Sequence, residues 1–162
     1  GKSKAVLMQE RLLDINPALR LRTINQFINP EESSHLVNSE AYDYVLDCID
    51  SVTPKLLLIK AAKEKGCKII THICPFAYYI RKRLRHEGIY GGVMTVFSEE
   101  KPIRESIKVT EGLNYKRSFY GTISYIPALF GLNMASWVVR DACGMFEPTP
   151  LCIPKKEKRR GE

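Results

Sequence analysis

The segment Tyr44-Val45-Leu46-Asp47-Cys48-Ile49 is mostly apolar on both parities, and this constrains the chain more than any other feature. A strand with one dry face alternates apolar and polar residues. One that is apolar on both faces needs cover on both, which is characteristic of parallel sheets flanked by helices. The residues that follow agree. Thr53 can cap a helix with its hydroxyl, Pro54 suits a first helical position where no N–H is needed, and Gly66 can close the helix after Lys65. Lys68-Ile69-Ile70-Thr71 then reads as the next strand. Strand, helix and strand in that order make a crossover unit with a parallel sheet, and Tyr44 to Ile49 is the candidate for its central strand.

The rest of the chain extends this alternation. Ala5, Met8, Leu12 and Ile15 share one helical face, and Asn16-Pro17 forbids continuation. Leu19 to Ile24 alternates with period two, as a strand near a sheet edge does, and a short helix is expected around Glu31 to Val37. Pro75 can open a helix in which Phe76, Tyr79, Ile80 and Leu84 share a face, with Gly88 as its stop. Gly92 to Ser98 is a further strand, Glu99 to Gly121 carries few signals, and Ile126 to Ala142 is an apolar helix. The surrounding apolar run, Ile123 to Val139, contains Ser124, Asn133 and Ser136 and falls at the bottom of the length range for a bilayer span. It is read as a buried helix, and no integral membrane span is expected. The fold class is α/β, a doubly wound, mainly parallel sheet.

A length of 162 residues suits one domain, and 25 Lys+Arg against 18 Asp+Glu give a net charge of +7. Nearly all of that excess lies in two places: the tail from Lys155 to Glu162, and the segment holding Arg81, Lys82, Arg83 and Arg85. Concentrated positive charge suits a phosphate-bearing partner, although a solvated helix face and a floppy tail have the same composition. The five cysteines form no C-x-x-C pair and no short Cys/His ladder, so a structural zinc site has little support. Their odd number and the lack of a secretory leader point to a reducing, cytoplasmic setting. Cys48 reads as core. Cys74 stands just before the basic helix, where a helix amino end can lower a thiol pKa, or it is a buried, idle cysteine. His35, His72 and His86 have no sequence neighbour that suggests a partner and are expected at the surface, while Phe130, Met134 and Trp137 follow helical spacing as core or dimer contact.

In open parallel sheets ligands bind beyond the carboxyl ends of the strands. Asp47 and Asp50 stand there, and a carboxylate in that place can hold a divalent cation that bridges nucleotide phosphates. The same residues equally suit helix capping and acceptance of loop amides. Gly1-Lys2-Ser3-Lys4, at a helix start, sets two ammonium groups beside backbone N–H donors. It is not a Walker loop, and the chain contains no G-x-G-x-x-G.

Gly1-Lys2-Ser3-Lys4-Ala5, Glu10-Arg11, Ile15-Asn16-Pro17, the run Tyr42 to Ser51 and Pro54-Lys55 together resemble the second half of the nucleotide domain of ThiF/MoeB/HesA proteins, relatives of ubiquitin-activating enzymes. Tyr78 to Leu84, Val96 to Glu100 and Gly121 to Gly131 narrow the resemblance to the branch that dehydrates tRNA threonylcarbamoyladenosine. The resemblance covers residue 1 to about 143, leaving 144–162 as a basic C-terminal tail, and it implies a Rossmann-like fold. The family's glycine-rich turn, ribose-binding acid and Asn-Arg-Gln segment precede this region, so residues 1–143 are expected to be an incomplete adenylation domain. Thr71 runs straight into His72-Ile73-Cys74-Pro75 where relatives carry a glycine-rich stretch and an Asp-Pro-Thr strand, which implies a gap near residues 71–72.

The activity the resemblance implies is ATP-dependent activation of a carboxylate as its adenylate, followed by ring closure on the tRNA adenosine as AMP departs. By the family pattern Lys4 contacts ATP phosphates, Asp50 positions the nucleotide and its Mg²⁺, and both are the candidate catalytic residues. Lys55 matches a further nucleotide-site lysine. Arg81, Lys82, Arg83 and Arg85 are the candidates for tRNA backbone contact. A homodimer is implied, with a sulfur-carrier protein or a cysteine desulfurase as a possible protein partner. The alternatives are an adenylyltransferase acting on a ubiquitin-like sulfur carrier, disfavoured by the missing C-x-x-C pairs, and a non-enzymatic basic nucleic-acid-binding module.

Overall fold

The computed structural model describes residues 1–73, 77–98, 108–109, 118–119 and 123–146. In chain order the elements are α1 (Lys4–Ile15), α2 (Pro30–Asn38), β1 (Tyr44–Asp47), α3 (Val52–Lys65), β2 (Lys68–Ile73), α4 (Ala77–His86), β3 (Val93–Phe97), β4 (Lys108–Val109), β5 (Ser118–Phe119) and α5 (Tyr125–Ala142). Strands β1, β2 and β3 form one parallel sheet in that order, while β4 and β5 pair antiparallel. Local chemistry explains most boundaries. Asn29 and Glu32 close a reciprocal capping box at the start of α2. Gly66, at φ 78°, ends α3 in the left-handed region that glycine enters without a Cβ penalty. Pro54 falls within the first turn of α3, where backbone N–H groups have no intrahelical acceptor.

Period-two alternation sorts the strands onto two faces. Val45, Ile69, Ile73 and Val93 pack with Leu56 and Ile59 of α3 and Ile80 and Leu84 of α4, and Val37 of α2 joins the same cluster. The opposite face meets α5: Tyr44 packs edge-on against Trp137 at 6.0 Å, and the His72 and Phe130 rings lie 5.9 Å apart. At one end of that face, Asp141 accepts hydrogen bonds from Tyr44 Oη at 2.6 Å and Lys68 Nζ at 2.5 Å. Helices thus cover both faces of a parallel sheet, as the doubly wound reading requires. The strand also runs unbroken through Thr71 and His72, which pair with Thr95 and Val96.

Four expectations are corrected. Among the described residues β1 is an edge strand and β2 is central, and Leu46 is accordingly 45 % exposed. Leu19 to Ile24 forms no strand, because a period-two pattern becomes a strand only where another strand accepts its hydrogen bonds; Arg22 instead pairs with Glu40 at 2.9 Å. Helix α5 has one buried residue, Met134, and leaves Leu129, Leu132 and Val139 exposed, since a single sheet face covers a helix that is apolar nearly all round. Cys48 is exposed, because β1 ends one residue earlier. Cys74, Pro75 and Phe76, most of Glu99 to Gly121, and the tail from residue 147 onward lie outside the described residues.

Candidate functional site

Among the described residues, the carboxyl ends of the strands carry the most concentrated buried polarity. Asp47 closes β1, pairs in register with Thr71 of β2, and is fully buried, as is Thr71. Lys55, on the second turn of α3, reaches down to them and is 3 % exposed. Its Nζ lies 2.5 Å from Asp47 Oδ2, 3.0 Å from Thr71 Oγ1 and 3.0 Å from the His72 carbonyl oxygen. Thr71 Oγ1 in turn donates to Asp47 Oδ2 at 2.6 Å. The second carboxylate oxygen, Oδ1, accepts the Ile49 amide at 2.9 Å, so one aspartate is bonded to a lysine, a threonine and its own loop. Among the described residues no buried side-chain nitrogen or oxygen lacks a partner.

The same carboxylate explains where the strand stops. An aspartate that accepts the amide two residues ahead draws the chain into a turn and out of the ladder. The chain leaves β1 at Asp47 and carries Asp50 out on the loop before α3, exposed and accepting from Ser51 Oγ at 3.4 Å. Ser51, not Thr53 or Asp50, holds the N-cap position of α3, and its side chain makes no capping bond. The two aspartates therefore differ in place: Asp47 is buried beneath the loop and accepts its Ile49 amide, and Asp50 is exposed on it. Lys4 is exposed at the first residue of α1. Lys55, matched to the nucleotide by resemblance, spends its three ammonium donors on Asp47, Thr71 and His72.

Burial pushes the Lys55 ammonium below an ordinary lysine's pKa, with Asp47 opposing that shift, and burial with Asp47 pushes the Cys48 thiol up. His72 was expected as an isolated surface histidine. It is half-buried, its Nδ1 lies 3.3 Å from the Asp47 carbonyl oxygen, and its pKa is lowered first by burial and then by the Lys55 charge. Only the cross-strand pairing brings it there, so no local sequence signal points to it. His35 and His86 are at the surface.

A histidine lowered in the folded state takes its proton more readily when unfolded. Its contribution to stability is therefore complete above the unfolded value of 6.5 and declines as pH falls below it. Urea midpoints of the intact protein are expected to drop from pH 7 toward pH 5, and His72→Gln is expected to flatten part of that drop, an outcome read from the two midpoint-against-pH curves.

On α4, Arg81, Lys82, Arg83 and Arg85 are all exposed while Ile80 and Leu84 face the core. Arg83 bends back onto its own helix, donating to Tyr79 Oη at 3.0 Å with its guanidinium 5.7 Å from that ring's centroid. Among the described residues no group of three or more His, Cys, Asp or Glu side chains could hold a metal ion alone, and no helix is long and apolar enough to cross a membrane.

A parallel sheet with a carboxylate-bearing loop at its strand ends is shared by many nucleotide-binding folds, and comparison with known proteins decides among them. The model of the ThiF family matches residues 1–154. The chain belongs to the ThiF family. Among curated proteins, it is 28% identical over 169 residues to the tRNA threonylcarbamoyladenosine dehydratase of Bacillus subtilis, a match covering 87% of this chain and 66% of that protein. Over 71 residues it is 42% identical to the dehydratase of Haemophilus influenzae, covering 44% of this chain and 27% of that protein. Among solved structures, Escherichia coli TcdA, the tRNA N6-threonylcarbamoyladenosine dehydratase, in complex with ATP aligns with a TM-score of 0.70 and 26% identity, covering 90% of this chain and 65% of that one. The same enzyme in complex with AMP aligns at 0.69. This ThiF-family chain thus spans no more than 66% of these curated relatives' lengths.

Proposed function

We propose that this chain is part of an ATP-dependent tRNA threonylcarbamoyladenosine dehydratase acting in the cytoplasm. The observation that carries the reading is the likeness, over 90% of the chain, to a dehydratase solved with ATP. The site described above supports it, with an exposed carboxylate beyond a parallel strand and an exposed lysine at a helix start. In this reading the substrate carboxylate takes the adenylyl group of ATP with loss of pyrophosphate. An oxygen or nitrogen of the same modified nucleoside then closes a ring on the activated carbon and expels AMP.

Lys4 neutralises phosphate charge as pyrophosphate leaves, and Asp50 orients the nucleotide. Mg²⁺ suits the donor set, because it is commonly held by one or two carboxylates together with substrate phosphates, and Asp50 is the exposed carboxylate on the loop that leaves β1. When bound, the cation withdraws charge from the phosphates. Asp47, Lys55 and Thr71 are bonded to one another, and in this reading they fix the height and direction of the loop that carries Asp50. The leucines left exposed on α5 support the homodimer.

The test is release of AMP and pyrophosphate by the intact protein. Release that requires tRNA bearing threonylcarbamoyladenosine supports the reading. Release that requires a ubiquitin-like sulfur carrier instead, or no ATP binding at all, overturns it.

A further inference from the structure

A groove of about 320 Å³ runs between α4 and the outer edge of β3, and Arg81 and Arg85 line it with Leu84, Tyr90, Val93 and Phe97. Its arginines are four residues apart and so lie on one face of the helix, whereas Arg83 is turned onto Tyr79. Tyr90 is 78 % exposed and Phe97 57 % exposed, so each leaves much of its ring surface open. Tyr90 precedes the first residue of β3 and Phe97 is its last, so the groove follows the length of that edge, and its Phe97 end lies at the carboxyl side of the sheet, where Asp47 closes β1.

Exposed aromatic rings beside guanidinium groups, over an apolar floor, form the combination that holds an unpaired nucleotide, with the base stacked on a ring and its phosphate on the cations. We propose that this groove binds a single-stranded nucleotide of the RNA substrate, and that Arg81, Arg85, Tyr90 and Phe97 carry the contact while Lys82 and Arg83 do not. The proposal rests on the tRNA reading above and assigns it a surface. Charge decides the occupant: a doubly cationic rim over an apolar floor favours an anionic ligand with a flat apolar body.

The experiment titrates the intact protein with a fluorescently labelled, unmodified anticodon stem-loop RNA over a range of salt concentrations. The variants are Arg81→Ala/Arg85→Ala, Tyr90→Ala, Phe97→Ala and Lys82→Ala/Arg83→Ala, with circular dichroism as the check on folding. Loss of the two arginines is expected to reduce the slope of log affinity against log salt by about 1.4, two contacts at roughly 0.7 each. Loss of either ring is expected to weaken binding about 5- to 150-fold with the slope unchanged. Both rings are largely exposed, so their truncation removes little packing.

Equal effects of the two arginine-containing double variants, or full RNA affinity in both ring variants, would overturn the proposal. So would polyglutamate binding that depends on these residues in place of RNA. Failure of the dehydratase reading shows separately, as AMP release that ignores tRNA, because affinity for RNA is measured without ATP.

Discussion

Asp50→Ala in the intact protein is expected to lower tRNA-dependent AMP release by roughly 10²–10³-fold, the scale of losing one preorganised charge contact in a transition state. The exposure of Asp50 makes the prediction specific. Substituting an exposed side chain is expected to shift stability, read from the urea midpoint, by about the 0.5 kcal/mol typical of a surface substitution. Asp50→Asn keeps the shape and loses the charge, and it should fall nearly as far in turnover as the alanine. A wild-type rate in Asp50→Asn would remove the carboxylate from the mechanism.

The neighbouring aspartate should behave in the opposite way. Lys55→Met leaves the Asp47 carboxylate buried without its cation, and removing one partner of a buried pair costs about 3–5 kcal/mol. Set against a total stability of about 5–15 kcal/mol, that is a large share. Asp47→Leu alone should cost a similar amount by stranding the ammonium. The double variant Asp47→Leu/Lys55→Met strands neither charge, so it should lose much less than the two single variants added together, as read from a double-mutant cycle in urea. Strict additivity would mean that the ion pair is not what holds the β1 end. Turnover in Lys55→Met, measured on whatever fraction stays folded, should fall through a misplaced Asp50 loop.

What could be read from sequence follows the range of the interactions involved. The end of α3 was legible because Gly66 announces it within one residue, and Lys68 to Thr71 because a short apolar run after such a stop has few other fates. The resemblance pointed to Asp50, on the loop that leaves β1. The burial of Asp47 could not be read there, because it depends on Thr71, 24 residues away, entering the same layer. The inward course of Lys55 was equally out of reach: eight residues separate it from Asp47, and only the turn of α3 over the strand points its amine inward. His72 was invisible, since its contacts come from the Asp47 backbone and from Phe130 on α5. Leu19 to Ile24 shows the converse error, in which a strong local pattern had no strand among the described residues to pair with.

The Asp47–Thr71 pairing also acts on how the chain assembles. If β1 slid along β2 by one position, Asp47 would stand beside Ile70 or His72, the lysine above would have no threonine beneath it, and a charge would be sealed in among isoleucines. Slipped pairings of two short apolar strands would otherwise differ little in energy. A single polar rung therefore serves as an alignment key that favours this register over its neighbours.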